Sequence, residues 1–197
     1  MAERYEQITA AQRDVREVYV GGFFGQLVSG AVWLLAAAVG TWVSLDAAAV
    51  ALWLGGMLIF PVTSACLRAS GRPASLPSGH PMVGLAMQVA FTVPAGLLLA
   101  ILLAQYRPEW FFPASMVVVG AHYLPFVFLY GERLFGVLAA VLAFLGVALV
   151  FWDPDVPEAS GAWLTGVLLV AFAFLLRASA ARRGQATGPD RSGPAGV

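Results

Sequence analysis

Polar side chains able to do chemistry inside an apolar chain are few here, and each is conspicuous. His122 sits in Gly120-Ala121-His122-Tyr123-Leu124-Pro125. Gln26 and Gln88 each occupy a run of small or polar residues at helical spacing: Gly22, Gln26, Gly30 and Gly84, Gln88, Thr92, Gly96, Ala100. Small residues let helix backbones approach, and amides hydrogen-bond across the contact, for about 0.6 kcal/mol each. A histidine, two glutamines and Tyr123 are thus candidate ligand contacts, the imidazole also a proton relay. The bland reading makes all four packing glue between helices. Pro61, Pro94 and Pro125 fall in the same apolar stretches, where a freed carbonyl can line a cavity or serve a hinge.

Some chemistries are excluded by what is missing. One Cys, Cys66, and two His leave no ligand set for structural zinc and no intrachain disulfide. No Asp or Glu lies inside an apolar stretch, so a proton-coupled carrier has only His122 to titrate. No cofactor and no nucleic-acid partner are expected. A second group of candidates lies outside the apolar stretches. Arg68, Arg72, His80 and Arg133 fall where they could meet a phosphate or a lipid headgroup, although a bias in arginine placement explains them equally.

The elements that must position these residues follow from composition. The chain has 197 residues, 60% hydrophobic and 11% charged, with mean hydropathy +0.81. That is too little charge to cover a soluble domain, so the lipid bilayer is the expected solvent. Six stretches lack Asp, Glu and Arg: Val20–Val43, Ala47–Leu67, Pro81–Leu103, Trp110–Tyr130, Leu134–Phe151 and Ala159–Leu176. Each approaches the 20 or so residues that a helix needs to cross a ~30 Å core. The expected fold is all-α, a six-span transmembrane bundle over residues 20–177. Residues 1–19 form an amphipathic helix with Ile8, Ala11, Val15 and Val18 on one face, lying on the membrane surface or extending the first span. Residues 178–197 form a disordered tail.

Orientation follows from arginine. Every basic residue is Arg, the habit of a GC-rich bacterial genome. Ten of the eleven fall on one side of a six-span chain and only Arg107 on the other, which places both termini in the cytoplasm of a cell-membrane protein. Trp42, Trp53, Trp110, Trp152 and Trp163 gather at the opposite ends of their spans, as a headgroup-level aromatic belt does. Gly22, Gln26 and Leu35 align with Gly84, Gln88 and Leu97, and Gly56 and Pro61 with Gly120 and Pro125. That is the pattern of a tandem two-helix repeat with spans five and six as an added hairpin, and chance alignment of apolar sequence produces it as readily.

Two strings carry resemblances. Pro77-Ser78-Gly79-His80 resembles the central motif of the type 2 phosphatidic acid phosphatases, membrane enzymes whose histidine serves a phosphate site. The match ends there. Ala65 stands where that family's upstream motif has Lys, and the third motif, with its nucleophilic His and orienting Asp, is absent. Without those motifs the string reads as a Pro/Gly/Ser turn leading into the third span, with Pro81 in its first turn. Gly79-His80-Pro81 through Gln88, and Pro108 through Gly131, resemble an uncharacterised family of small multi-pass bacterial membrane proteins. The shared positions are Gln88, Gly120, His122, Pro125 and Tyr130. That resemblance implies a helical membrane fold and no activity.

Three functions fit these residues: a bundle that binds and transports a small molecule or lipid through Gln26, Gln88, His122 and Tyr123; an enzyme using His80 and nearby Arg on a lipid at the cytoplasmic face; or an accessory subunit whose polar residues only pack. The ligand and the oligomeric state are left open.

Overall fold

The computed structural model describes residues 2–152 and 156–186. Within them the helices are α1 (Ala2–Val18), α2 (Phe23–Trp42), α3 (Leu45–Ala69), α4 (Val83–Ala104), α5 (Phe111–Tyr130), α6 (Leu134–Trp152) and α7 (Ser160–Ala186). A left-handed turn, Val20–Gly22, precedes α2, and a 3-10 turn, Pro108–Trp110, precedes α5. Among the described residues there is no strand, and six helices are long and apolar enough to cross a membrane. The expected six-span all-α architecture is the observed one. The arginine-rich end carries α1, the 70–82 loop, the α5–α6 turn and the end of α7. The tryptophan-rich end carries the α2–α3 and α4–α5 connections.

Local chemistry explains the boundaries. Ser44 caps α3 by accepting the Ala47 N–H at 3.1 Å. Gly131, at φ +58, ends α5 in the left-handed conformation that suits a residue without Cβ. Pro61, Pro94 and Pro125 all lie inside continuous helices. The helix of α7 continues past the expected start of a disordered tail, because Ala180 packs under Gly21 and Arg183 reaches back to Glu132. Residues 187–197, the rest of that tail, lie outside the described residues.

Packing groups the spans in threes. α2 lies between α3 and α7, and α5 lies between α4 and α6; these four pairings are the most extensive. Contact between α3 and α4, and between α6 and α7, is sparse. The expected last hairpin is therefore split, and glycines are the reason. A Cβ on Gly30 would lie 3.1 Å from the Val170 nitrogen, and one on Gly166 would lie 3.0 Å from that of Leu34, so α2 and α7 touch backbone to backbone. Gly120 does the same for α6, with the Ala139 oxygen at 2.9 Å. The core between the two groups is built from Trp33, Phe112, Met116, Phe135, Leu138 and Leu169. α3 and α4 are peripheral and turn broad apolar faces outward, as lipid-facing helices do.

The expected packing of span one on span three through their glutamine faces is not what forms. Gly30 meets α7, and nothing lies within 4 Å of a Cβ on Gly84. The α2 face through Gly30 is taken by α7, where Gly30 fits against Gly166 and Val170 and Gly166 against Leu34, while Gly96 of α4 meets Val118 of α5.

Candidate binding site

The first span starts from a break. Val20, Gly21 and Gly22 have φ of +53, +66 and +92. Three successive left-handed residues stop α1 and restart the chain as α2 at a new angle. Glycine is needed at the last two, since a Cβ on Gly22 would lie 2.9 Å from the Phe135 ring and one on Gly21 would lie 3.0 Å from Ala180. Val20 carries the conformation without glycine's freedom, a strain that such sites store.

One turn beyond the break, Gln26 and Ser29 point from α2 into the bundle, where they face the hydroxyl of Tyr123 on α5. Gln26 is 2% exposed, and its Oε1 has no hydrogen-bond partner among the described residues. Burying such an acceptor unpaired costs about 1–3 kcal/mol. Toward the arginine-rich end the lining turns aromatic. Phe126 and Tyr130 stack at 5.6 Å, Tyr130 and Phe135 lie 4.9 Å apart, and Tyr123 stacks on Phe135 at 6.1 Å.

α1 covers this end. Val15 and Ala11 are buried against the bundle, whereas Ile8, expected on the same face, is exposed. The Gln12 amide donates to the Phe128 carbonyl at 2.6 Å, and the Arg16 guanidinium donates to that of Tyr130. Burial holds Arg16 below its ordinary pKa, and neighbouring Arg183 and Arg13 add to this against the opposing Glu132 and Glu17. Burial likewise pushes the Tyr19 hydroxyl up, where it meets the Leu76 backbone. On the other flank, Asp14 pairs with His80 at 3.3 Å and Arg72 donates to the Glu17 carbonyl at 3.3 Å.

The tryptophan-rich end is more open. A cavity of about 290 Å³ lies among Arg107, Trp110, Pro113, Leu149, Glu158 and Gly161. A second, of about 190 Å³, lies among Ala49, Val50, Ile101, Ala104, Pro108 and Phe111.

Of the residues singled out from sequence, Gln26 and Tyr123 come together. His122 and Gln88 do not join them. Adjacent residues on a helix point about 100° apart, so with Tyr123 facing inward His122 turns to the α4–α5 seam. There its Nδ1 lies 3.3 Å from the Thr92 oxygen, whose single proton goes to the Val89 carbonyl at 2.7 Å. A neutral imidazole in that network carries its proton on Nδ1. Gln88, one turn along α4, is exposed on the outer face.

Arg68 and Arg133 are exposed at the ends of α3 and the α5–α6 turn. Arg72 and His80 are spent on α1. His80 has both nitrogens engaged, Nε2 with Asp14 and Nδ1 accepting the Met82 N–H at 3.2 Å, which suits a latch better than a base. Among the described residues no three His, Cys, Asp or Glu gather to hold a metal. Sequence reasoning missed Ser29 and the Gly21–Gly22 break. The adjacent glycines between an amphipathic and an apolar run were the available signal, as was Ser29 at i+3 from Gln26.

Fold and site together define a polytopic helical membrane protein with a polar spot inside its bundle. The chain belongs to the family of unknown function DUF7010, which it matches over residues 8–179. Comparison with curated proteins and with solved structures finds no match.

Proposed function

We propose that the protein is a carrier for a small, uncharged solute that donates hydrogen bonds, bound in the bundle interior between α2 and α5. The observation that supports this is Gln26 Oε1, a buried acceptor without a partner among the described residues, beside Ser29 and Tyr123 and one turn inside the α1–α2 break. The apolar stretches of the spans carry no Asp, Glu or Arg, and this lack of either charge argues for an uncharged solute. The arginine asymmetry supports a bacterial cell membrane as its location, with α1 and both termini cytoplasmic.

Osmotic flux into proteoliposomes tests this reading. Urea and glycerol are presented to vesicles holding the wild type, the Gln26→Leu variant or no protein, and swelling is followed by stopped-flow light scattering. Wild-type vesicles should swell faster than the other two. Equal rates in all three for every solute tried would overturn the proposal.

A second reading, an accessory subunit, draws on a different observation. Gln88, Thr92 and His122 form a polar strip on an outward face at the depth of the hydrocarbon, and a helix of another protein could satisfy it. Co-purification from native membranes with a stoichiometric partner lost on Gln88→Leu would favour it.

A further inference from the structure

Val20–Ala104 and Pro108–Ala186 follow one plan. Each runs as three spans, α2, α3 and α4 and then α5, α6 and α7; the left-handed turn Val20–Gly22 before the first has no counterpart in the right-handed turn Pro108–Trp110 before the second. The first span of each has 20 residues and begins Phe-Phe, at Phe23–Phe24 and Phe111–Phe112. A tight connection follows, and then a span beginning with Leu, at Leu45 and Leu134.

Packing obeys the same equivalence. If α2, α3 and α4 correspond to α5, α6 and α7, the α2–α3 contact maps onto α5–α6. The α4–α5 contact maps onto α7–α2, and the two sparse contacts, α3–α4 and α6–α7, map onto each other. An odd number of spans per unit makes the second unit enter the membrane from the opposite side. The operator relating them is then a pseudo-twofold in the membrane plane, whereas a tandem pair of two-helix units would have its axis along the normal.

The two ends are nonetheless in different states. The 190 Å³ cavity at the tryptophan-rich end is lined by Ala49, Val50 and Phe111. By the equivalence that sets Leu45 on Leu134 and Phe111 on Phe23, its counterpart at the arginine-rich end lies by Leu138, Ala139 and Phe23. All three of these are buried, and the space is filled. α1 has no equivalent before α5, and it lies over the filled end.

We propose that the halves are an inverted-topology repeat and that the chain works by exchanging their conformations. The cavity beside Ala49 closes as a cavity beside Leu138 opens, and α1 is the asymmetric element that holds the Leu138 side shut. This rests on the carrier reading and gives it a mechanism. Two halves of one plan in one bilayer have two arrangements of similar energy, and α1 adds its contacts to one of them.

The test is thiol accessibility in proteoliposomes. Cys66→Ser removes the native thiol. Ala49→Cys, Leu138→Cys and Leu142→Cys are then made singly and treated with a membrane-impermeant maleimide from each side. Leu142 is also fully buried but maps outside the cavity, so it reports any general loosening. Ala139→Cys repeats the Leu138 measurement with a smaller change of volume.

Leu138→Cys and Ala139→Cys should label from the α1 side. Their rate should be roughly 0.1–10% of that of Ala49→Cys, the share of time spent in a minor state. Gln12→Ala with Arg16→Ala should raise it. Failure of both reporters to exceed Leu142→Cys, in folded protein with the α1 contacts removed, would overturn the exchange. Flux through vesicles whose reporters stay silent would sink the exchange and leave the carrier standing. Labelling without flux of any solute would do the reverse.

Discussion

The Arg183 guanidinium lies 2.8 Å from the Glu132 carboxylate, tying the end of α7 to the turn between α5 and α6. Glu132 is also held by the Ser179 hydroxyl at 2.7 Å and the Leu134 N–H at 3.3 Å. Its side chain is nearly buried, whereas that of Arg183 is half in water. Removal of the two partners should therefore be unequal. Glu132→Ala leaves Arg183 its bond to the Gly131 carbonyl at 3.2 Å but strands Ser179, and should destabilise by about 1–2 kcal/mol. Arg183→Ala leaves a buried carboxylate hydrogen-bonded only by the neutral Ser179 and Leu134 donors, with Arg16 as its remaining charged neighbour, and should cost more, about 2–3 kcal/mol after allowance for solvent screening. Melting in detergent ranks the two; the opposite order would mean that Glu132 is less buried than described.

Glycine substitutions should separate close approach from mere flexibility. Gly120→Ala places its Cβ against the Ala139 oxygen and the Ala143 nitrogen, backbone atoms that cannot step aside, and should cost about 1–3 kcal/mol. Gly22→Ala adds a left-handed φ to a ring contact and should cost about 2 kcal/mol. Gly25→Ala meets nothing within 4 Å and should be neutral or slightly stabilising. Thermal melts of the three variants check the order.

Alkaline stability should depend on Tyr19. Its pKa is raised by burial, so above the ordinary tyrosine value of 10 the unfolded chain loses this proton before the folded one does. The folded state then binds more protons, and stability falls as pH rises through 10. Tyr19→Phe should flatten part of that fall and leave melting near pH 7 little changed. An identical alkaline slope in both proteins would contradict the burial of this hydroxyl.

His122 should matter little to solute flux. It faces the α4–α5 seam, away from Gln26, and meets the Thr92 hydroxyl of α4 there. His122→Gln keeps a donor for Thr92, and His122→Leu forfeits one intramembrane hydrogen bond, about 0.6 kcal/mol. Both variants should transport as the wild type does in the same assay that silences Gln26→Leu. Loss of flux in His122→Gln with an unchanged melt would return the histidine to the pathway.

The bilayer made the span count legible. The part of a helix inside lipid must be apolar, so hydropathy alone marked α2 through α6 and the start of α7 to within a few residues, and missed the ten residues by which α7 outruns its apolar stretch. Partnership between spans is a different matter. Every face of an apolar helix resembles every other, and Gly30 could have met Gly84 as readily as Gly166. Only the mutual fit of Gly30, Val170 and Leu34 decides it. The site divided for a related reason. Tyr123 and His122 are neighbours in sequence, but helical geometry sends them to different faces, and sequence gives no way to know which face is inside. Gln26 was recognisable by type; that its oxygen lacks a partner depends on residues from other spans.

The placement of α1 also sets an order of assembly during synthesis. Its closest polar contacts are with Phe128 and Tyr130, separations of 116 and 114 residues, and α7, which closes the same end, is made later still. At roughly 5–20 residues per second, the ribosome needs about 6–23 s after making α1 to deliver its seat on α5. Through that interval Val15 and Ala11 have no bundle to pack against, and the membrane surface is the apolar phase within reach. α1 is thus translated well before the helix that seats it, and a chain arrested before α5 would expose it to proteases that spare the finished protein.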